Sequence, residues 1–164
     1  MSGELAGRKL RLVEVGPHIG DCMLWAASLF GENLRATAIE PVTQVVSLFR
    51  RSILANGFQN IIDLHHAWGG TGGGKPPPGS MAEGKPREGA EPAAVPWLGL
   101  DSVVKEDVDI LKIHTNGGER QILDSAEELF NNHKVSVVIV HSAEAHQLWP
   151  SAEFLLHRNY NVDV

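Results

Sequence analysis

Apolar positions along the chain switch repeatedly between a period of two and a period near three and a half. "LRLVEV" (10–15) is β-rich and ends at Gly16. "DCMLWAASLF" (21–30) is apolar nearly all round, which predicts a buried helix, with Asp21 as N-cap and Gly31 as terminator. "RATAIE" (35–40) predicts a second strand. In "VTQVVSLFRRSILANG", Val42, Val45, Val46, Phe49 and Ile53 fall on one helical face before Asn56-Gly57 ends it. "NIIDLHHAW" (60–68) predicts a third strand.

The pattern then breaks. Over 69–96 half the residues are Gly or Pro, without hydrophobic period, as in a flexible linker or loop. So long a segment reads either as a substrate lid or as a low-complexity expansion, and its composition favours the second. Order resumes at "LDSVV" and "VDILKIH" (108–114), a buried-type strand. A helix with Ile122, Leu123, Ala126, Leu129 and Phe130 on one side follows. "VSVVIVH" (135–141) has the strongest strand pattern. Pro150 fits the first turn of a last helix holding Phe154, Leu155 and Leu156, and "YNVDV" suggests the start of a strand.

This alternation predicts one α/β domain over 1–164, a Rossmann-like parallel sheet with helices on both faces and a flexible insertion at 69–96. Ligands of such sheets bind beyond the carboxyl ends of the strands. The candidates there are Glu14 to Gly20, Glu40, His65 to Trp68, His114 to Glu119, and His141.

Charge and cysteine content narrow the partners. Twenty acidic against fourteen basic residues, a net charge of −6, argue against a nucleic-acid or anionic-membrane surface. Cys22 is the single cysteine, so neither an intrachain disulfide nor a cysteine-built zinc site is expected. No apolar run resembles a signal peptide or a membrane span, so the expectation is a cytoplasmic protein.

The turn "VEVGPHIGD" keeps Gly16 and Gly20 but has His18 and Asp21 where a dinucleotide fingerprint has its second and third glycines. Bulk and a carboxylate near the helix N-terminus both disfavour a pyrophosphate. E-x-G-x-x-x-G suits a nucleoside without a phosphate bridge, its amino-acid tail over the turn and Glu40 holding its ribose. S-adenosylmethionine fits, since Glu14 and Glu40 supply a local −2 for its sulfonium. Equally, two glycines can simply permit a tight strand-to-helix turn.

The chain resembles the FkbM-type S-adenosylmethionine-dependent methyltransferases, from about Leu10 to Tyr160 apart from the insertion. The resemblance rests on "VEVGPHIGD", "AIEPVTQVVSLFRRSILANG", "HAWGG" and "LDSVV…VDILKIHTNGGERQIL" in register. It implies methyl transfer, usually to a hydroxyl oxygen of a small molecule or sugar. It also implies a cofactor site of Glu14, Gly16, His18, Gly20, Glu40, Pro41 and Ala67. Ala67 and Trp68 can line the adenine, the indole as a flat apolar wall, or Trp68 can simply be core. The chain departs from the family where His114 and Asn116 replace an aspartate and a glutamate, and where His141 ends a strand usually closed by glutamate. A final strand pair usual for the fold is not expected before Val164.

A hydroxyl acceptor benefits from a general base, and His114, with His141 beside it, is the expected catalytic pair. The other reading is that drift replaced the acids and the chain is an impaired or truncated relative, acting as a nucleoside-binding or regulatory module. Lys112 either contacts a substrate anion or reaches out from the strand end. A metal site of His65 or His66 with His114 and His141 is disfavoured, because adjacent strand residues point to opposite faces. Association of two copies through an exposed sheet edge is expected.

Overall fold

The computed structural model describes residues 8–71, 95–115, 117–142 and 145–163. The interior of the Gly/Pro run and Asn116 lie outside the described residues. The first strand, β1 (Leu10–Val15), leads through the glycine turn into α1 (Asp21–Phe30). Then come β2 (Leu34–Glu40), α2 (Thr43–Ala55) and β3 (Ile62–His66). Two short strands, β4 (Trp68–Gly69) and β5 (Trp97–Leu98), pair with each other. They are followed by α3 (Leu100–Val103), β6 (Val108–Ile113), α4 (Glu119–Asp124), α5 (Glu127–Asn132), β7 (Val135–Val140) and α6 (Ala145–Leu156).

The main sheet is parallel throughout, in the order β3-β2-β1-β6-β7. Strand alternation builds a core on each face. Val13, Val15, Ile39, Leu111 and Ile113 pack with Ile122, Leu123, Leu129 and Phe154 on one side. Ala36, Ala38 and Ile62 pack with Met23, Ala27, Phe49 and Ile53 on the other. The order reverses direction between β1 and β6, and this switch point opens the crevice in which ligands of open α/β sheets bind. No helix among the described residues is long and apolar enough to cross a membrane.

Several local expectations are corrected. Helix α1 is not buried all round: Met23, Ala26 and Ala27 are buried, whereas Trp25, Leu29 and Phe30 are exposed. A uniformly apolar helix carries no phase from which its inner face can be read. Asp21 is the first helical residue rather than the N-cap; Gly20 caps, with left-handed φ of 81°. The expected helix around Ile122 and Phe130 is two short helices. Ser125 interrupts it, its Oγ donating to Ile122 O at 2.7 Å and accepting from Leu100 N at 3.2 Å.

The "LDSVV" segment forms α3, and Asp101 accepts from Glu128 N and Leu129 N at 2.9 and 2.8 Å, pinning α5. Pro150 sits inside α6, not in its first turn. Only one backbone hydrogen bond need be lost there, and buried Ala152, Phe154 and Leu155 offset that cost. No strand forms over 160–163; instead Tyr160 donates to Val135 O at 2.6 Å and its ring meets Phe130 edge-on.

Candidate active site

The glycine turn is fixed by contacts as much as by backbone freedom. Gly16 has φ of 79°, and a Cβ there would lie 2.0 Å from His114 O, because the end of β6 passes directly beside it. A Cβ on Gly20 would lie 2.0 Å from the Phe49 ring. Between them His18 also adopts a left-handed conformation, φ 54°, which is uncommon outside glycine. That strain has a visible consequence. It turns the His18 N–H toward β2, where it donates to Glu40 Oε2 at 3.1 Å.

Glu40 is 5% exposed at the end of β2. Its Oε1 accepts from Val42 N at 2.9 Å, so both carboxylate oxygens hold backbone amides and keep a lone pair for a ligand. Burial pushes its pKa above the ordinary carboxylate value, and the two N–H donors oppose that. Glu14, one strand over and 1% exposed, is shifted the same way by burial, against the pull of Lys112. Lys112 Nζ donates to Glu14 Oε1 at 2.5 Å, while Glu14 Oε2 has no hydrogen-bond partner among the described residues.

Glu14, Gly16, His18, Glu40, Pro41, Lys112 and His114 all line one cavity of about 610 Å³ beyond the carboxyl ends of the strands. The two glutamates therefore face a shared hollow. The expected local −2 is corrected, however, because the Lys112 ammonium neutralises Glu14.

His114 follows β6 and is half-buried. Burial first, then His141 and Lys112, hold its pKa below the ordinary imidazole value, so it is neutral at pH 7. The His141 ring meets it edge-on, centroids 4.1 Å apart, but His141 is exposed and does not line the cavity. The loop after His114 is tied down by Glu119, 2% exposed, whose carboxylate accepts from Thr115 N and Oγ1 and from Gly117 N at 3.0–3.3 Å.

Two expected cofactor residues stay outside the cavity. Gly20 packs under Phe49. Ala67 is buried in the core, its N–H donating to Glu40 O at 3.2 Å; strand alternation instead turns Trp68 into the hollow. Trp97 joins it, ring centroids 5.9 Å apart and planes tilted by 32°. Sequence reasoning missed Trp97, which pairs with Trp68 across the whole Gly/Pro run and carries no local signal. His66 Nε2 lies 3.1 Å from Pro41 O, and His65 pairs with Asp63. No group of three or more His, Cys, Asp or Glu able to hold a metal occurs among the described residues.

The fold matches solved methyltransferases. A precorrin-6y C5,15-methyltransferase from Geobacter metallireducens superposes with a TM-score of 0.62 at 19% identity, covering 96% of this chain and 65% of its own. A ribosomal protein L11 methylase from Lactobacillus delbrueckii gives 0.57 at 14%, covering 96% and 64%. A methyltransferase FkbM from Methylobacillus flagellatus gives 0.51 at 17%, covering 76% and 31%. The chain thus spans less than two thirds of each of these proteins. No curated protein sequence matches it. The family model of the methyltransferase FkbM domain matches residues 14–161, nearly the whole chain. This chain belongs to the FkbM methyltransferase family, which uses S-adenosylmethionine.

Proposed function

We propose that the chain binds S-adenosylmethionine and methylates a hydroxyl oxygen of a small molecule or sugar. The observation that carries this reading is that Glu14, Glu40 and His114, from three adjacent strands, open on one cavity. The residues fit the nucleoside. Glu40 keeps free lone pairs at the end of β2 for ribose hydroxyls, and Glu14 lines the same cavity one strand over. A side chain at Gly16 would collide with His114 O, so the turn that borders the cavity keeps its shape only with glycine there.

When bound, S-adenosylmethionine supplies a methyl group on a good leaving thioether, so the protein mainly has to align the acceptor. His114, neutral and on the cavity wall, accepts the proton of the acceptor hydroxyl; His141 packs against its ring and limits its orientation. The replacement of acids by His114 and His141 also supports a second reading, a nucleoside-binding module without turnover.

Transfer of labelled methyl groups to a panel of sugar and small-molecule hydroxyls separates the two. We expect turnover with wild type and its loss in His114→Asn, with S-adenosylhomocysteine binding retained in both. Binding without turnover across the panel favours the module. Absence of binding defeats both.

A further inference from the structure

We propose that the acceptor taken by this cavity is a phenolic ring, which lies against the indoles of Trp68 and Trp97 and turns its hydroxyl to His114. The inference rests on the S-adenosylmethionine reading and deepens it by naming the class of acceptor. Trp68 and Trp97 are register partners on β4 and β5. Trp68 N donates to Pro96 O at 2.8 Å and Gly70 N to Leu98 O at 3.0 Å, so the backbone holds the two rings side by side. Both line the cavity, half-buried, with centroids 5.9 Å apart and planes tilted by 32°. Indoles left half-buried at a cavity, rather than closed over by the core, offer their faces and edges to a planar guest.

The position of the pair argues for the acceptor rather than the nucleoside. Among the described residues, Glu14, Asp21, Glu40 and Lys112 bring charge to the cavity lining, from β1, α1, β2 and β6. The lining residues that β4, β5 and α4 contribute are uncharged, Gln121 among them. Gly70 lies between Trp97 and α4: a Cβ there would be 3.7 Å from both the Trp97 ring and Gln121 O. The chain leaving His114 leads into α4, so Trp97 flanks the wall that carries the base. An uncharged subsite favours a neutral guest, because a charge taken from water there would find no partner.

His114 then selects among neutral hydroxyls. Burial first, then His141 and Lys112, keep its pKa below the ordinary imidazole value. So weak a base suits a phenol, with a pKa of about 10. It suits an aliphatic hydroxyl far less, since that group holds its proton nearly as water does, at about 15.7. In the step, the phenolic proton passes to the His114 imidazole as the oxygen forms its bond to the methyl carbon. The carbon–sulfur bond breaks with its electron pair kept by sulfur, so one positive charge leaves the sulfonium and one arrives on the imidazolium.

The test uses β-naphthol, its fully hydrogenated counterpart and methyl glucoside. Each is titrated calorimetrically into wild type, Trp97→Leu and Trp97→Phe with S-adenosylhomocysteine already bound. We expect β-naphthol to bind wild type at least about fivefold more tightly than either of the others, the margin that aromatic contact supplies. Trp97→Leu should lose that margin and Trp97→Phe should keep most of it. Both variants should bind S-adenosylhomocysteine within about twofold of wild type. Labelled methyl groups should reach β-naphthol in wild type. Equal binding of β-naphthol and its hydrogenated counterpart overturns the proposal, as does the absence of transfer to β-naphthol. A Trp97→Leu variant that loses S-adenosylhomocysteine as strongly as β-naphthol assigns the indoles to the adenine and overturns it too. Each of those outcomes leaves cofactor binding by wild type intact, whereas no binding of S-adenosylhomocysteine by wild type overturns the cofactor reading and this proposal with it.

Discussion

His114 follows β6 on the wall of the cavity, and its surroundings set its working range. Its pKa lies below 6.5 because burial and the neighbouring His141 and Lys112 oppose a second proton. The rate of methyl transfer should accordingly fall on the acid side of the ordinary imidazole pKa in wild type, and His114→Asn should lose turnover; an unchanged rate and pH profile in the variant removes the imidazole as base. Stability follows the same sign. Below pH 6.5 the unfolded chain binds a proton at this residue that the folded chain resists, so acidification costs stability, and His114→Asn should flatten that slope in thermal melts. Glu14 and Glu40, both shifted upward, work in the opposite direction: their burial costs stability at neutral pH, and protonation relieves it as pH falls through their raised values. At this scale the sequence makes Glu40 visible by its spacing from Gly20. The Lys112–Glu14 pair is not visible, because it depends on the register of strands that lie 98 residues apart in the chain.

Helices show how much a local pattern can carry. Helix α2 could be read from Val46, Phe49 and Ile53, whose spacing matches its buried face. Helix α1 could be located but not oriented, and the split between α4 and α5 follows from a Ser125 hydroxyl whose partner Leu100 is 25 residues away. Asp101, part of the leucine-aspartate pair that marks the family resemblance, supplies two acceptors to the first turn of α5. Asp101→Ala should lower stability by about 1 kcal/mol, the usual cost of a lost cap. It should leave S-adenosylhomocysteine affinity unchanged, because Asp101 does not reach the cavity. Denaturant melts and calorimetry check both halves; weakened binding would mean that α5 transmits to the site.

For the molecule as a whole, the alternation of strands and helices predicts a parallel sheet with helices on both faces, since parallel strands require crossovers, although the face carrying Ile110, Val137 and Ile139 is left partly open. The small β4–β5 pair was not legible, because it joins residues on either side of a segment without period. Strand β7 is at the edge of the sheet and carries no charged residue, and its Val137 and Ile139 are 48% and 45% exposed. An uncharged apolar edge favours pairing with another copy, so we expect concentration-dependent dimers in light scattering, shifted to monomer by Ile139→Lys. A monomer at all concentrations would contradict that.

Glu40 and Glu14 line one hollow, and the proposed function has them serve one ligand there. Its most direct test is calorimetric titration of wild type and Glu40→Ala with S-adenosylhomocysteine, alongside NAD as a control. We expect S-adenosylhomocysteine to bind and NAD not to, with affinity for the former lowered at least about tenfold in the variant, as when charge-assisted hydrogen bonds are lost. Equal affinity in the two proteins, or a preference for NAD, would contradict it.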